Sequence, residues 1–159
     1  MPRIGLGFDI HRLVEGRPLV LAGMRVQDSP GLLGYSDGDV VLHAVIDGIF
    51  GAAGLSDIGD HFPSGDPAFA GIASTLLLEK ALEEVTVLGL AVRQVDVNVI
   101  AETPRLGTRK NALKANLARL LRLPEERVAI KARTMEGLGE IGAGRAIAAQ
   151  AIVLLEDNA

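Results

Sequence analysis

The chain has no cysteine and no tryptophan, and aromatics make up only 3% of its 159 residues. The first absence rules out disulfides and thiolate metal sites, so any metal must be held by His, Asp or Glu. Scarce aromatics leave the core to Val, Ile, Leu and Ala, within a hydrophobic fraction of 48%. Excess positive charge is lacking too, and the formal net charge of −4 argues against a nucleic-acid partner. No apolar run approaches membrane-spanning length, and no basic stretch leading into an apolar segment precedes the first strand. We therefore expect a soluble, cytoplasmic protein with no membrane contact. At this length, residues 1–159 make one domain with a core of ordinary size.

What is present begins with RIGLGFDIH, Arg3 to His11, whose strict alternation predicts a strand. Ile4, Leu6, Phe8 and Ile10 point one way, and Gly5, Gly7, Asp9 and His11 the other. Residues two apart on a strand lie about 7 Å apart and aim in parallel, which lets a carboxylate and an imidazole converge on one ion. An edge strand with its polar face in water has the same pattern. Gly5 and Gly7 leave that face bare, with room for a ligand or another backbone.

Further along, Glu15-Gly16-Arg17-Pro18 is turn material between two apolar runs and suggests a hairpin partner for the first strand. Ser36, Asp37 and Asp39 are N-cap candidates for a helix starting at Val40. On that helix His43 lies one turn from both Asp39 and Asp47, so a carboxylate of its own face could orient its free ring nitrogen. A histidine so placed is either structural or, beside Asp9 and His11, the third metal ligand. Ser56 to Gly71 is too rich in Pro and Gly for a helix or central strand and reads as a long loop, functional or merely solvated; His61 within it is a weaker metal candidate.

Ile72 to Gly89 reads as an amphipathic helix burying Ile72, Leu76, Leu77, Leu82 and Val85 and ending at a C-cap glycine. Val95, Val97 and Val99 alternate with Gln94, Asp96 and Asn98 in a second strand. A helix over Leu106 to Leu121 buries Leu113, Leu117, Leu120 and Leu121 and turns Arg109, Lys110, Lys114 and Arg119 outward. Arg127 to Thr134 is a third strand, and the glycine-rich turn after it lacks the spacing of a phosphate-binding loop. Glu136 there is placed to hold a hard cation if phosphates bind. The almost continuously apolar AIAAQAIVLLE should be a strand covered on both faces. Helices cover one, so a partner subunit is expected on the other.

Taken together, GFDIH, SDGDVVLHA, DIGDHFPSGDP and TMEGLG resemble, in order and over nearly the whole chain, the 2-C-methyl-D-erythritol 2,4-cyclodiphosphate synthase family. The resemblance implies an α/β (α+β) sandwich, a mixed sheet of four or five strands with three helices on one face, the other face packed in a homotrimer with sites between subunits. It implies a zinc site from Asp9, His11 and His43, with Glu136 holding a magnesium or manganese ion against the substrate diphosphate. Asp9, His11, Tyr35 and Ser36 match substrate contacts; Asp57, Ile58 and Gly59 match those to the methylerythritol part, followed by Phe62, Pro63, Ser64, Gly65 and Asp66. Ala101, Pro104, Arg105, Leu106 and Gly107, with Ala132, Arg133, Thr134 and Met135, match the segments taking the cytidine and its phosphate. Tyr35 and Thr134 stand where the family steadies the transition state. Tyr35 replaces the usual histidine, and Glu140, Ala143 and Arg145 depart from the pattern after Glu136.

The implied reaction is attack of a substrate's 2-phosphate on its own cytidine-linked diphosphate, which expels CMP and closes a cyclic diphosphate. A phosphate is already ionised near neutral pH, so the work is neutralising anions and aligning attacking and leaving oxygens. Two rivals share the same residues: a zinc hydrolase that activates water, and a non-catalytic metal-stabilised trimer.

Overall fold

The computed structural model describes residues 1–158. Its main sheet has five strands, in spatial order β4 (Gly31–Leu32), β1 (Arg3–Val14), β7 (Ala146–Asp157), β5 (Leu90–Ile100) and β6 (Val128–Arg133). Only β5 and β6 run parallel, so the sheet is mixed. The main helices α1 (Val40–Ala53), α3 (Ser74–Val87) and α4 (Lys110–Leu121) pack on β1 and β7, on β5 and on β6 respectively. This is the α/β arrangement expected from the sequence.

The alternation in β1 is real, but its sides are the reverse of a simple amphipathic strand. Gly5 and Gly7 face the core, and a Cβ on either would fall 1.9 Å from Gly48 O or 1.8 Å from Ala44 O. The bare face therefore seats the backbone of α1, which brings the helix close enough for His43 to reach Asp9 and His11. Ile4, Leu6, Phe8 and Ile10 form the outer face and stay between 45% and 73% exposed. In β7 the inward Ile147, Ala149, Ala151, Val153 and Leu155 are fully buried, whereas Ile152 opposite Leu6 is 51% exposed. Within one chain the outer face of β7 is thus open around Gln150 and Ile152, although Ala148 on that face is buried. Further across the same outer surface the character changes to polar, with Lys131 Nζ 2.7 Å from Asp96.

Several expected boundaries differ. Leu19–Leu21 (β2) pairs with Met24–Gln27 (β3), not with β1. The reason is a tight turn in which Ala22 and Gly23 both take positive φ, 49° and 75°, folding the run back on itself. β4 meets β1 only at Leu13 and Val14, so Arg3 to Arg12 pair with β7 alone, and it is the polar face of this stretch, packed under α1, that departs from a strand with that face in water. The loop from Ser56 to Gly71 contains a one-turn helix α2 (Ile58–His61) and a 3-10 turn Pro67–Phe69. Asp57 and Asp66 cap them by accepting from Asp60 N–H and Ala68 N–H. On α3 the buried stripe is Ser74, Leu77, Leu78, Ala81 and Val85; Leu76 lies one position off it and is exposed. Its end falls as expected, at Gly89 with φ of 74°. The last of the main helices starts at Lys110, not Leu106, and buries Ala118 with Leu113, Leu117 and Leu121 while Leu120 is half-buried. The glycine-rich turn carries a short helix, α5 (Gly139–Gly142).

Asp39 ties the turn of β2 and β3 to the start of α1. It is fully buried and accepts from Ala22 N–H at 3.0 Å, Gly23 N–H at 2.6 Å, and Val41 and Leu42 N–H at 3.1 Å each. Burial pushes its carboxyl up to about 6, against the pull of the Gly23 and Leu42 bonds, which leaves it ionised at neutral pH. Asp39→Ala should cost about 2 to 4 kcal/mol in denaturant unfolding, since an N-cap and two turn bonds are lost from a buried position. A loss below about 1 kcal/mol would contradict this role.

Candidate functional site

The end of β1 and the first turns of α1 deliver three ligands to one point. Asp9 and His11 share the inner face of the strand two residues apart, and His43 reaches them from the helix, where Asp39 fixes the first turn. Asp9 Oδ2 lies 2.8 Å from His11 Nε2 and 2.9 Å from His43 Nδ1, and the two nitrogens are 3.1 Å apart. All three groups offer an atom within 4.8 Å of the others. Burial alone would raise the Asp9 carboxyl, but hydrogen bonds from His11 and His43 reverse this and hold it well below the usual range. For His43, burial favours the neutral ring, but the hydrogen bond and charge of Asp9 together with the charges of Asp39 and Asp37 outweigh it, so its pKa is raised.

This donor set suits zinc. Two imidazole nitrogens and one carboxylate oxygen form a triangle a few tenths of an ångström tighter than the ~3.3 Å edge of a tetrahedral zinc site with ~2.0 Å bonds. Three protein ligands leave a fourth position open. Deprotonated ring nitrogens facing a carboxylate repel it, and a cation or a proton between them removes that cost.

Around the trio is a cavity of about 180 Å³. Of the residues singled out in the sequence, Tyr35, Ser36, Ile58, Gly59, Phe62 and Ser64 line it with the three ligands. Asp57, Pro63, Gly65 and Asp66 flank it on the same loop without lining it. Tyr35 is 40% exposed, and its hydroxyl donates to the backbone carbonyl of Asp66 at 3.1 Å, tying the loop across the mouth. His61 is engaged elsewhere, stacked on Phe50 at 4.0 Å and 3.2 Å from Glu84.

The second group gathers around the C-terminal ends of β5 and β6. Ala101 N–H donates to Arg133 O at 2.9 Å, which joins the segment Ala101 to Gly107 to Ala132–Met135. Glu136 sits just beyond, with φ of 51° and its carboxylate 3.4 Å from Thr134 Oγ1. None of these residues lines the cavity around Asp9, His11 and His43, so the two predicted halves of the site do not meet within one chain. A larger groove, about 880 Å³ between α3 and α4, contains none of the predicted site residues.

The expected partner of His43 on its own helix is absent. Asp39 is occupied by backbone N–H groups, and Asp47 accepts from Ile58 N–H at 2.8 Å, anchoring α2 to α1. Instead the far ring nitrogen of His43 meets Ser36 and Ser74 at 3.1 and 3.0 Å. Ser74 had no motif to reveal it. Its signal was a lone hydroxyl on the buried stripe of α3.

The model of the YgbB family matches residues 2–156. The chain is 50% identical to the 2-C-methyl-D-erythritol 2,4-cyclodiphosphate synthase of Gloeobacter violaceus over 98% of this chain and 95% of that protein. It is also 50% identical to the enzyme of the same name from Bordetella avium, over 99% and 97%. Among solved structures, a 2C-methyl-D-erythritol-2,4-cyclodiphosphate synthase in its CDP-bound form superposes with a TM-score of 0.88 at 42% identity, over 97% of this chain and all of that one. The bifunctional IspDF of Campylobacter jejuni superposes at 0.94 with 40% identity, over 99% of this chain and 42% of that one.

Proposed function

The chain belongs to the YgbB family, and from that premise we propose that it converts 4-diphosphocytidyl-2-C-methyl-D-erythritol 2-phosphate to 2-C-methyl-D-erythritol 2,4-cyclodiphosphate and CMP. In this role it is a lyase of the non-mevalonate isoprenoid pathway. The observation that carries the reading is the Asp9, His11 and His43 cluster opening into a loop-walled cavity, in a chain half identical to synthases of that name. Incubation with the diphosphocytidyl substrate should give CMP and the cyclic diphosphate by mass analysis. Unchanged substrate in the presence of zinc and magnesium would overturn it.

An oxygen of the 2-phosphate forms a bond to the nearer phosphorus of the diphosphate, the bond from that phosphorus to the bridging oxygen breaks, and CMP leaves with the electron pair. Asp9, His11 and His43 hold zinc in this reading, and Glu136 holds magnesium or manganese. When bound, these ions supply Lewis-acid neutralisation of crowded phosphate oxygens. Ile58 and Gly59, with Asp57, receive the methylerythritol hydroxyls, and the loop from Phe62 to Asp66 shields the reacting phosphates from water. Ala101 to Gly107 and Ala132 to Met135 take the cytidine and its phosphate, Thr134 donating toward the transferring phosphate. These two groups combine across a subunit boundary in a homotrimer built on the exposed apolar face of β1 and β7. We assign the enzyme to the cytoplasm as a single domain; no helix among the described residues is long and apolar enough to cross a membrane.

Tyr35 holds the loop through Asp66 O. Tyr35→Phe should therefore raise KM several-fold and leave kcat within about threefold. A phenol donating to the transferring phosphate would instead cost about ten- to a hundredfold in kcat. Steady-state kinetics separates the two.

A further inference from the structure

The two ring nitrogens of His43 have opposite surroundings. Nδ1 faces Asp9 Oδ2 at 2.9 Å and His11 Nε2 at 3.1 Å. Nε2 faces hydroxyls, Ser74 Oγ at 3.0 Å and Ser36 Oγ at 3.1 Å. Ser74 is fully buried on the first turn of α3. Its hydroxyl donates to Asp37 Oδ1 and its backbone N–H to Asp37 Oδ2, the latter at 3.0 Å. Asp37 is itself fixed, accepting from Asp39 N–H at 3.1 Å and donating its own N–H to Ile72 O at 3.0 Å.

A serine hydroxyl has one hydrogen. Because that hydrogen is spent on a carboxylate, Ser74 Oγ can offer His43 only lone pairs. A ring nitrogen facing those lone pairs at 3.0 Å without a hydrogen would be repelled even with the Ser36 hydroxyl turned toward it, so Nε2 carries the proton. Ser36 Oγ, which already accepts from Gly38 N–H, is a second acceptor beside it. The neutral ring then keeps its lone pair on Nδ1, the nitrogen aimed at Asp9 and His11, as metal binding requires.

We infer that Asp37 and Ser74 are positioning residues for the metal centre: Asp37 orients the Ser74 hydroxyl, and Ser74 locks His43 in the Nε2–H tautomer with Nδ1 presented to the ion. This rests on the metal site of the proposed function and deepens it. Neither residue is a ligand, and both come from outside the helix that carries His43. The chain thereby couples the loop before α1 and the start of α3 to the affinity of a site on β1 and α1.

The test uses zinc itself, titrated into metal-free full-length protein against a competing chelator. Ser74→Ala and Asp37→Asn should bind zinc about 10- to 100-fold more weakly, as expected for loss of a group that orients a ligand histidine. The asparagine keeps the shape, but with one oxygen it cannot accept from all three donors that Asp37 serves. Ser74→Thr, which keeps the hydroxyl, should stay within about threefold of wild type. Nitrogen-resolved NMR of the zinc-loaded protein adds a readout that a purely structural role would not move: a protected Nε2 proton on His43 in wild type, exchanging faster in Ser74→Ala. Wild type that binds one zinc beside variants that bind it within about twofold would overturn the relay alone. Wild type that takes up no zinc would overturn the metal reading, and the relay with it.

Discussion

Replacing His43 with alanine should strip the protein of zinc and reduce turnover by about a thousandfold. His43 is 9% exposed and its Nδ1 lies within 3.1 Å of both other ligand groups. Its loss leaves Asp9 and His11, two ligands where a zinc site needs three from the protein. Lewis-acid stabilisation of developing phosphate charge is worth several kcal/mol, and about 4 kcal/mol corresponds to a thousandfold in rate. The fold should survive, because α1 stays anchored by Asp39 and by the close contact of Gly5 and Gly7 with its backbone. Circular dichroism like that of wild type, with elemental analysis near zero zinc, is the expected pair of results. Full zinc occupancy in this variant would show that the ligands are misassigned.

A second large effect is expected on the outer face of the sheet, where Ile152→Asp should convert a trimer to monomer or make the chain insoluble. Ile152 sits between Leu6 on β1 and Asp96 on β5. Around it Ile4, Leu6, Phe8 and Ile10 leave an apolar surface that a single chain does not cover. A carboxylate there would face Asp96 and lose its water on assembly, at a cost of several kcal/mol per copy. Asp9, His11 and His43 all lie on one chain, whereas Glu136 and Thr134 lie outside the cavity they are assigned to complete. The soluble monomer should accordingly keep zinc and lose activity. Sedimentation equilibrium and metal analysis check this together; a well-folded wild-type monomer at micromolar concentration would contradict the assembly.

The gathering of Asp9, His11 and His43 was legible before the structure because alternation in β1 sorts Asp9 and His11 to one side and helical periodicity places His43 near a helix start. The strand and helix positions followed from the same periods. What sequence spacing does not encode is which elements touch. Gly5 and Gly7 read as room for a ligand or another backbone, and which of the two fills it, the backbone of α1, emerges only from the fold. Asp39 and Asp47 are neighbours of His43 on the helix surface, yet the ring leans toward β1 and finds Ser74, 31 residues later, on its far side. The loop before α3 read as unstructured from its Pro and Gly content, which does not exclude one-turn helices between those residues, and Asp57 and Asp66 cap two of them. The separation of the Glu136 group from the Asp9, His11 and His43 cluster is invisible in a linear sequence, since it depends on β6 lying at the far side of the sheet from β1.

Turnover in oxygen-18 water tests the central claim most directly. If the substrate's own phosphate is the nucleophile, both CMP and the cyclic diphosphate carry no solvent oxygen, and Glu136→Gln slows the reaction while zinc content stays at the wild-type level. Oxygen-18 in either product would show that water attacks, and the protein would then be a zinc hydrolase using the same three ligands.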